Sequence, residues 1–125
     1  MPTKKNRNTI LEEEASELSK HMMVFDKIKN FTLSLEGTEM DENIFGSFAD
    51  IIINMTELKT LKLNVNKCQI SPECFYEFSI KLADIMTLES IEIIARKNYW
   101  EVKKREIVID GFNGLTHVEN KKLDF

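Results

Sequence analysis

The sequence predicts an α/β fold, a short solenoid in which strand–turn–helix units stand side by side and share one parallel sheet. Three observations predict it: an alternating apolar strand pattern, a capped helix start that follows the strand, and a repeat of both at intervals of thirty residues. The strands are expected to be parallel and their crossovers right-handed, because a strand–helix–strand connection returns the chain in its original direction.

The middle unit shows the pattern most clearly. Leu61 and Leu63 alternate with polar residues, so their side chains lie on one face of a strand predicted over 60–65. Ser71 is followed by a proline, the combination of N-cap and first helical residue that opens many helices. A helix is therefore predicted over 72–85, separated from the strand by a tight turn.

The same pattern recurs thirty residues earlier and thirty residues later. It predicts a first strand over 30–35 and a third strand over 90–95. Asp41 is the expected N-cap of a helix over 42–53. Recurrence at a fixed period is typical of folds in which each unit buries its apolar face against its neighbours.

The turn after each predicted strand carries one compact side chain that can form hydrogen bonds. These residues are Thr38, Cys68 and Asn98. A chain that leaves a strand has backbone groups without ladder partners, and an inward side chain of this kind can satisfy them. We therefore expect the three residues to line up in a column beneath adjacent strands.

These segments resemble leucine-rich repeats of the ribonuclease-inhibitor-like variant, which carries a helix in each unit. The middle unit reads Leu63-x-Val65-x-x-Cys68-x-Ile70. The outer units supply the equivalent residues Leu33, Leu35, Thr38 and Met40, and Ile93, Ala95, Asn98 and Trp100. The resemblance implies a leucine-rich-repeat-like domain over residues 9–100, with the concave face of its sheet as the usual binding surface.

The N-terminal end of the array is predicted to be a helical cap. Thr9 and Glu12 form a capping box, which predicts a helix over 9–22 that lids the first strand. Residues 1–8 are polar and are expected to be a tail that is disordered or bound to a partner.

The C-terminal end, residues 101–125, is predicted to be a β-hairpin cap and a tail. The residue thirty positions after Phe75 is Arg105, which we expect to be unable to occupy a core position of a helix. Residues 107–109 are apolar and β-branched, so the third strand is expected to fold back antiparallel onto them and cover the sheet edge. The packing of the tail is left open.

The composition is that of an ordinary globular chain with one domain. The chain has 125 residues, of which 42% are hydrophobic and 30% are charged, and a formal net charge of −4. The negative balance argues against a nucleic acid partner, since phosphate binding needs a basic face. No apolar run reaches the length of a membrane span and no secretory signal is visible. We therefore expect an intracellular protein, cytoplasmic in the first instance, with an organelle left open.

No catalytic, cofactor or metal site is recognisable in the sequence. It contains no nucleophile elbow, no glycine-rich phosphate loop and no HExxH motif, and the spacing of Cys68 and Cys74 is not that of a zinc site. Cys68 is expected to pack in the core. Cys74 is the candidate for chemistry, because it lies in the first turn of a helix, where the dipole lowers the pKa of a thiol. We expect no cofactor.

The candidate binding surface is the concave face that the resemblance implies. It should carry the residues that alternate with the core positions of the strands: Thr32, Ser34, Glu36, Lys62, Asn64, Asn66, Glu92, Ile94 and Arg96. These side chains form rows thirty residues apart. A solvated face and a true interface are both open alternatives, and the outer helix surface with Tyr76, Glu77 and Lys81 is a rival.

The expected function is that of a non-catalytic protein-interaction or assembly subunit of a larger complex, with other protein subunits as partners. An array of so few units is marginally stable unless its ends are covered, and a partner protein can cover them. Two alternatives stay open. One is a fragment of a larger leucine-rich-repeat sensor or regulator, and the other is a small thiol-dependent redox enzyme that uses Cys74.

Overall fold

The computed structural model describes residues 27–125, and these form a four-stranded parallel sheet with three helices. Strands and helices alternate as β1 (Asn30–Ser34), α1 (Glu42–Ile53), β2 (Thr60–Asn64), α2 (Pro72–Leu82), β3 (Ser90–Ile94), α3 (Val102–Asn113) and β4 (Asn120–Asp124). The strands lie in sequence order, and each pairs in parallel with the next. The predicted α/β class and parallel sheet are confirmed. The tail predicted over 1–8 and the helix predicted over 9–22 lie outside the described residues.

The register between neighbouring strands equals the period of the sequence. Leu61 of β2 pairs with Phe31 of β1 and with Ile91 of β3, and Ile91 pairs with Lys121 of β4. Because the offset is the same at all three junctions, equivalent residues of successive units are neighbours in space. A periodic sequence therefore becomes a set of rows that run across the sheet.

The core lies between the helices and one face of the sheet. Leu61 and Leu63 of β2 are fully buried, whereas Lys62 between them is exposed. In β3, Ile91 and Ile93 are buried in the same way. One face of the sheet thus packs under the helices, and the other face, which we call the open face, is available to solvent.

Local signals position the first two helices. The Asp41 carboxylate accepts a hydrogen bond of 2.8 Å from the Ile44 N–H at the start of α1. The Ser71 hydroxyl oxygen accepts one of 3.1 Å from the Cys74 N–H at the start of α2. Helix α3 begins after Glu101, whose side chain makes no cap hydrogen bond. Each side-chain cap stabilises a helix by about 1 kcal/mol, so the start of α3 depends more on tertiary packing.

Aromatic side chains join the three helices into one interior. The ring centroid of Phe75 in α2 lies 5.5 Å from that of Phe45 in α1 and 5.4 Å from that of Phe112 in α3. Phe78 meets the Phe45 ring edge-on at 5.4 Å. All four rings are buried, and pairs of this geometry contribute about 0.5–1.5 kcal/mol beyond the area they bury. Phe75 therefore ties together three successive units.

The predicted C-terminal hairpin is wrong. Residues 107–109 lie within α3, and the last strand, β4, is parallel to β3. The prediction rested on Arg105 at the position equivalent to Phe75. Arg105 is half-buried. Helix α3 is stabilised instead by Val108 and Phe112, which are fully buried. A helix needs its apolar stripe only along the face that meets the core, so one charged residue at the end of the array does not stop the repeat. The tail whose packing was left open contains β4.

Helices α2 and α3 approach each other closely at Gly111. A Cβ atom at this position would overlap the Ser79 hydroxyl oxygen and lie 3.0 Å from a carbon of the Tyr76 ring. Glycine costs helix stability through backbone entropy, so its presence inside α3 marks a place where two helices need the space.

We expect Gly111→Ala to destabilise the protein by about 1–2 kcal/mol, because the steric cost of overpacking exceeds the gain of about 1 kcal/mol in helix propensity. Gly46→Ala is the matched control. Among the described residues, and apart from the local helix backbone, no atom lies within 4 Å of the position of a Cβ at Gly46, so this variant should gain about 1 kcal/mol. Urea denaturation of the two variants measures the difference. Equal stabilisation by both would contradict the tight α2–α3 contact.

Candidate interaction surface

The sequence-predicted site residues lie in rows that cross the open face. In the first row Thr32, Lys62 and Glu92 occupy register-paired positions on β1, β2 and β3, and Lys122 continues the row on β4. Lys62 and Lys122 are exposed and Glu92 between them is half-buried. The charges therefore alternate along the row, an arrangement that stabilises neighbouring strands by up to about 1 kcal/mol per pair.

A recess of about 460 Å³ lies along this first row, at the N-terminal half of β2, β3 and β4. Lys62, Glu92 and Lys122 line it together with Ser90 and Asn120. Polar and apolar atoms contribute comparably to its lining, and it is open to solvent across three strands, so it can receive an extended group of a partner but offers no enclosed chamber for a reaction.

The second row contains two side chains that are engaged within the protein, Asn64 and Asp124. Ser34, Asn64 and Ile94 are paired across β1, β2 and β3, with Asp124 next on β4. The Asn64 amide donates to the Glu36 carboxylate at 3.0 Å, and the Asn64 side-chain oxygen accepts from the backbone N–H two residues further on. Ile94 is half-buried and places an apolar side chain at the centre of the face.

The third row consists of Glu36, Asn66 and Arg96, and its side chains connect adjacent turns. The Asn66 side-chain oxygen accepts a hydrogen bond of 2.7 Å from the backbone N–H of Arg96. The Arg96 guanidinium lies 3.3 Å from the Asp124 carboxylate. These polar side chains hold adjacent turns together, so their first role is structural and not recognition.

The open face therefore divides the predicted residues into two groups. Side chains without a hydrogen bond or ion pair to any described residue are Thr32, Ser34, Lys62, Glu92 and Ile94; those engaged within the fold are Glu36, Asn64, Asn66 and Arg96. Lys122 and Asp124 also lie on the open face but are not among the predicted residues, because the sequence after residue 114 has the pattern of a tail. The period could have found them, since they stand thirty residues after Glu92 and Ile94.

The residues at the turns form the expected column. Thr38, Cys68 and Asn98 are all buried. The Asn98 side-chain oxygen accepts from the Cys68 N–H at 3.1 Å, while its amide nitrogen donates to the Val65 carbonyl oxygen at 2.9 Å. The Cys68 thiol donates to the Leu35 carbonyl oxygen at 2.8 Å. Each of the two later side chains thus satisfies backbone groups of the unit before it.

Cys74 does not have the environment of a reactive thiol. It lies half-buried between α1 and α2, where burial, followed by the carboxylates of Glu42 and Glu77, raises the pKa of its thiol to about 11. This direction is opposite to the lowering expected from the helix dipole alone. At neutral pH the side chain is a neutral thiol, which is a poor nucleophile and a poor metal ligand.

Between residues 27 and 125, no group of three or more His, Cys, Asp or Glu side chains is placed to hold a metal ion. Within the same range, no helix has both the length and the apolar character needed to cross a membrane.

The rival surface on the helices is a shallow apolar patch. Tyr76, Ile80 and Ile107 are exposed on α2 and α3, beside an ion pair of 2.8 Å between Lys104 and Glu73. That pair lowers the pKa of the Glu73 carboxyl and raises that of the Lys104 amine, but both groups are exposed, so solvent weakens their attraction.

Comparisons of the chain with models of known protein families, with curated proteins and with solved structures found no match.

We expect Asn98→Ala to destabilise the protein by about 2–4 kcal/mol, because it leaves the buried N–H groups of Cys68 and Ile70 and the Val65 carbonyl oxygen without their partner. Asn54→Ala is the control. It removes one exposed hydrogen bond to a carbonyl oxygen and should cost less than about 1 kcal/mol. Chemical denaturation of both variants gives the comparison, and equal losses would contradict the role of the column.

We expect the free energy of unfolding to fall between pH 9 and 11 partly because of Cys68. Burial raises the pKa of its thiol from 9.0 to about 11 in the folded chain, so over this range the unfolded chain releases a proton that the folded chain retains. Its contribution is therefore complete below pH 9 and is lost as the pH rises through the window. Cys68→Ser, which does not titrate there, should show a shallower decline than the natural chain.

The measurement is urea denaturation of the natural chain and Cys68→Ser at several pH values. Between pH 7 and 8 the difference in stability between the two should be constant, which is the internal control. Parallel declines above pH 9 would contradict a raised thiol pKa.

Proposed function

We propose that this chain is a non-catalytic protein-interaction or assembly subunit of a larger complex, built as a short solenoid similar to leucine-rich repeats. The observation that carries the proposal is the open face, where register-paired strands present a row of alternating charges, Lys62–Glu92–Lys122, along a recess. In a parallel α/β sheet both faces are ordinarily covered, so a face left open is a place where a partner can add contacts.

The resemblance to leucine-rich repeats is supported by two independent features. The constant offset of thirty residues at all three strand junctions favours identical stacked units. The buried polar residue at each turn fits the Asn or Cys position of the repeat motif. We infer that the family's use of its concave face applies to this chain as well.

The size of the open face sets a limit on what it can bind. Four strands about 4.8 Å apart, each about 17 Å long, present roughly 250 Å². A stable interface covers about 800 Å² on each partner. A partner that docks there must therefore extend onto the neighbouring turns or helices, or bind weakly and be held by other subunits of the complex.

The alternating row favours a partner with complementary order. A protein surface that presents acidic, basic and acidic groups at intervals of about 5 Å would oppose Lys62, Glu92 and Lys122 in turn. A partner of uniform negative charge would be repelled by Glu92. Mixed charge of this kind fits protein recognition better than phosphate-backbone binding.

The thiol-enzyme alternative has less support. A redox or transfer enzyme centred on Cys74 needs a thiolate at neutral pH, whereas burial and two nearby carboxylates raise the pKa of that thiol to about 11.

Charge reversal on the open face tests the proposal. We expect the variant Lys62→Glu combined with Lys122→Glu to co-purify with about tenfold less of its partner subunits than the natural chain does, because its new carboxylates repel the acidic groups of the partner. The measurement is quantitative mass spectrometry of the purified native assembly. Its size, determined by light scattering, should exceed the 14.6 kDa of the chain alone.

The control places the same two charge reversals on the helices, as Lys81→Glu combined with Lys103→Glu, both at exposed positions. This variant should retain the partners. Loss of partners in the control alone would assign binding to the helix surface, and a natural chain that is monomeric at cellular concentration would contradict the proposed function.

A further inference from the structure

A second recess, of about 310 Å³, opens beside the last turn and the end of β4, and its lining is cationic and aromatic. The residues that matter in it are Arg96, Lys97, Trp100, Arg105 and Phe125, and we call it the terminal recess. No acidic residue is among the described residues that line it, although the whole chain carries a net charge of −4. The recess therefore carries positive charge, whereas the net charge of the whole chain is negative.

Arg105 is the cation best placed to receive a ligand. It occupies the position at which the two preceding units place Phe45 and Phe75, so it stands at the edge of the core and not on the outer helix surface. Within the part of the chain that the structure describes, its guanidinium makes no ion pair. Arg96, by contrast, lies 3.3 Å from the Asp124 carboxylate, which offsets its charge.

The aromatic wall of the recess is held in place by the fold. The Trp100 ring nitrogen donates a hydrogen bond of 2.7 Å to the Ile70 carbonyl oxygen. Phe125 packs edge-on against Trp100 at 5.8 Å and against Phe112 at 5.9 Å between ring centroids. A preordered apolar wall beside an arginine costs little entropy when a ligand binds.

The edge of β4 leads into this recess. Asn120 donates to the Glu89 carbonyl oxygen, and the Asp124 carbonyl oxygen accepts from Ala95, so the even-numbered residues of β4 bond to β3. Since backbone groups alternate in direction along a strand, the N–H and C=O groups of Lys121 and Leu123 point away from β3. No described strand pairs with that side of β4.

We propose that the terminal recess binds an acidic, extended segment of a partner protein, with a carboxylate on the Arg105 guanidinium and an apolar side chain against Trp100 and Phe125. Arginine pairs with carboxylates through two parallel hydrogen bonds, and aromatic residues beside arginine are frequent anchors of protein interfaces. The backbone groups of β4 that no described strand pairs with then bond to the backbone of the segment, as in strand addition during peptide recognition. The inference rests on the proposed interaction function but uses a different surface.

Trp100 is the single tryptophan of the chain, so its fluorescence reports on this recess alone. The probe is a synthetic peptide of about eight residues in which Glu alternates with Val, so that alternate side chains face one way, as strand addition requires. We expect saturable quenching or a spectral shift of Trp100. Binding should be about tenfold weaker for a peptide with Gln in place of Glu, and for Arg105→Gln, since each loses a charge-assisted pair.

Two variants make the result specific. Lys103→Gln removes an exposed charge from the same helix outside the recess lining and should bind the Glu peptide like the natural chain. Arg105→Phe restores the residue type of Phe45 and Phe75, so it should fold at least as stably and still lose the peptide. This second variant keeps the test decisive if Arg105→Gln folds poorly.

Equal affinity for the Glu and Gln peptides, unchanged binding by both Arg105 variants, or tighter binding of inorganic phosphate or of a single-stranded oligonucleotide than of the Glu peptide would each overturn the inference. A native complex that depends on Lys62 and Lys122 while the peptide fails to bind overturns this inference and leaves the proposed function intact. If the peptide binds but the chain is monomeric in cells, the inference about the terminal recess is supported and the proposed function is overturned.

Discussion

Keeping successive turns in register is the constraint on which the rest of this structure depends, and buried side chains at the turns meet it. Asn98 and Cys68 bond to backbone groups one unit back, so each turn positions the next. Without those bonds, the turn after each strand would contain buried, unpaired amide groups, and each would cost about 1–3 kcal/mol. The constant offset between strands and the alignment of rows on both faces follow from this coupling.

The same coupling allows unusual backbone conformations at the turns. Lys67, Gln69, Lys97 and Tyr99 have φ values between 56° and 61°, a region that favours glycine, and Gly37 has φ 75° in the first turn. Non-glycine residues there are strained by about 1–3 kcal/mol each and persist only where the surroundings over-determine them. The buried hydrogen bonds at Cys68 and Asn98 are such surroundings, and the result is that cationic and aromatic side chains project from the turns.

Polar residues of the open face have different roles in different rows. On the open face, Asn64 and Asn66 satisfy backbone and side-chain groups of adjacent turns, whereas Lys62 and Glu92 face solvent in the adjoining row. In the last described unit, the position equivalent to the buried Phe75 holds Arg105, which is half-buried. Burial thus depends on position along the stack as much as on residue type.

The sequence by itself determined the elements that rest on local signals and on the period: the first three strands, the two capped helices, the parallel order and the inward turn residues. Only the tertiary structure decided the last helix and strand, because α3 has no side-chain cap and is stabilised by the buried side chains of Val108 and Phe112, the latter packed against Phe75 of α2. It also raised the pKa of Cys74, since burial and carboxylates from two helices outweigh a dipole that sequence position suggests. Local patterns encode what a segment can form, whereas burial and charge environment arise from segments distant in sequence.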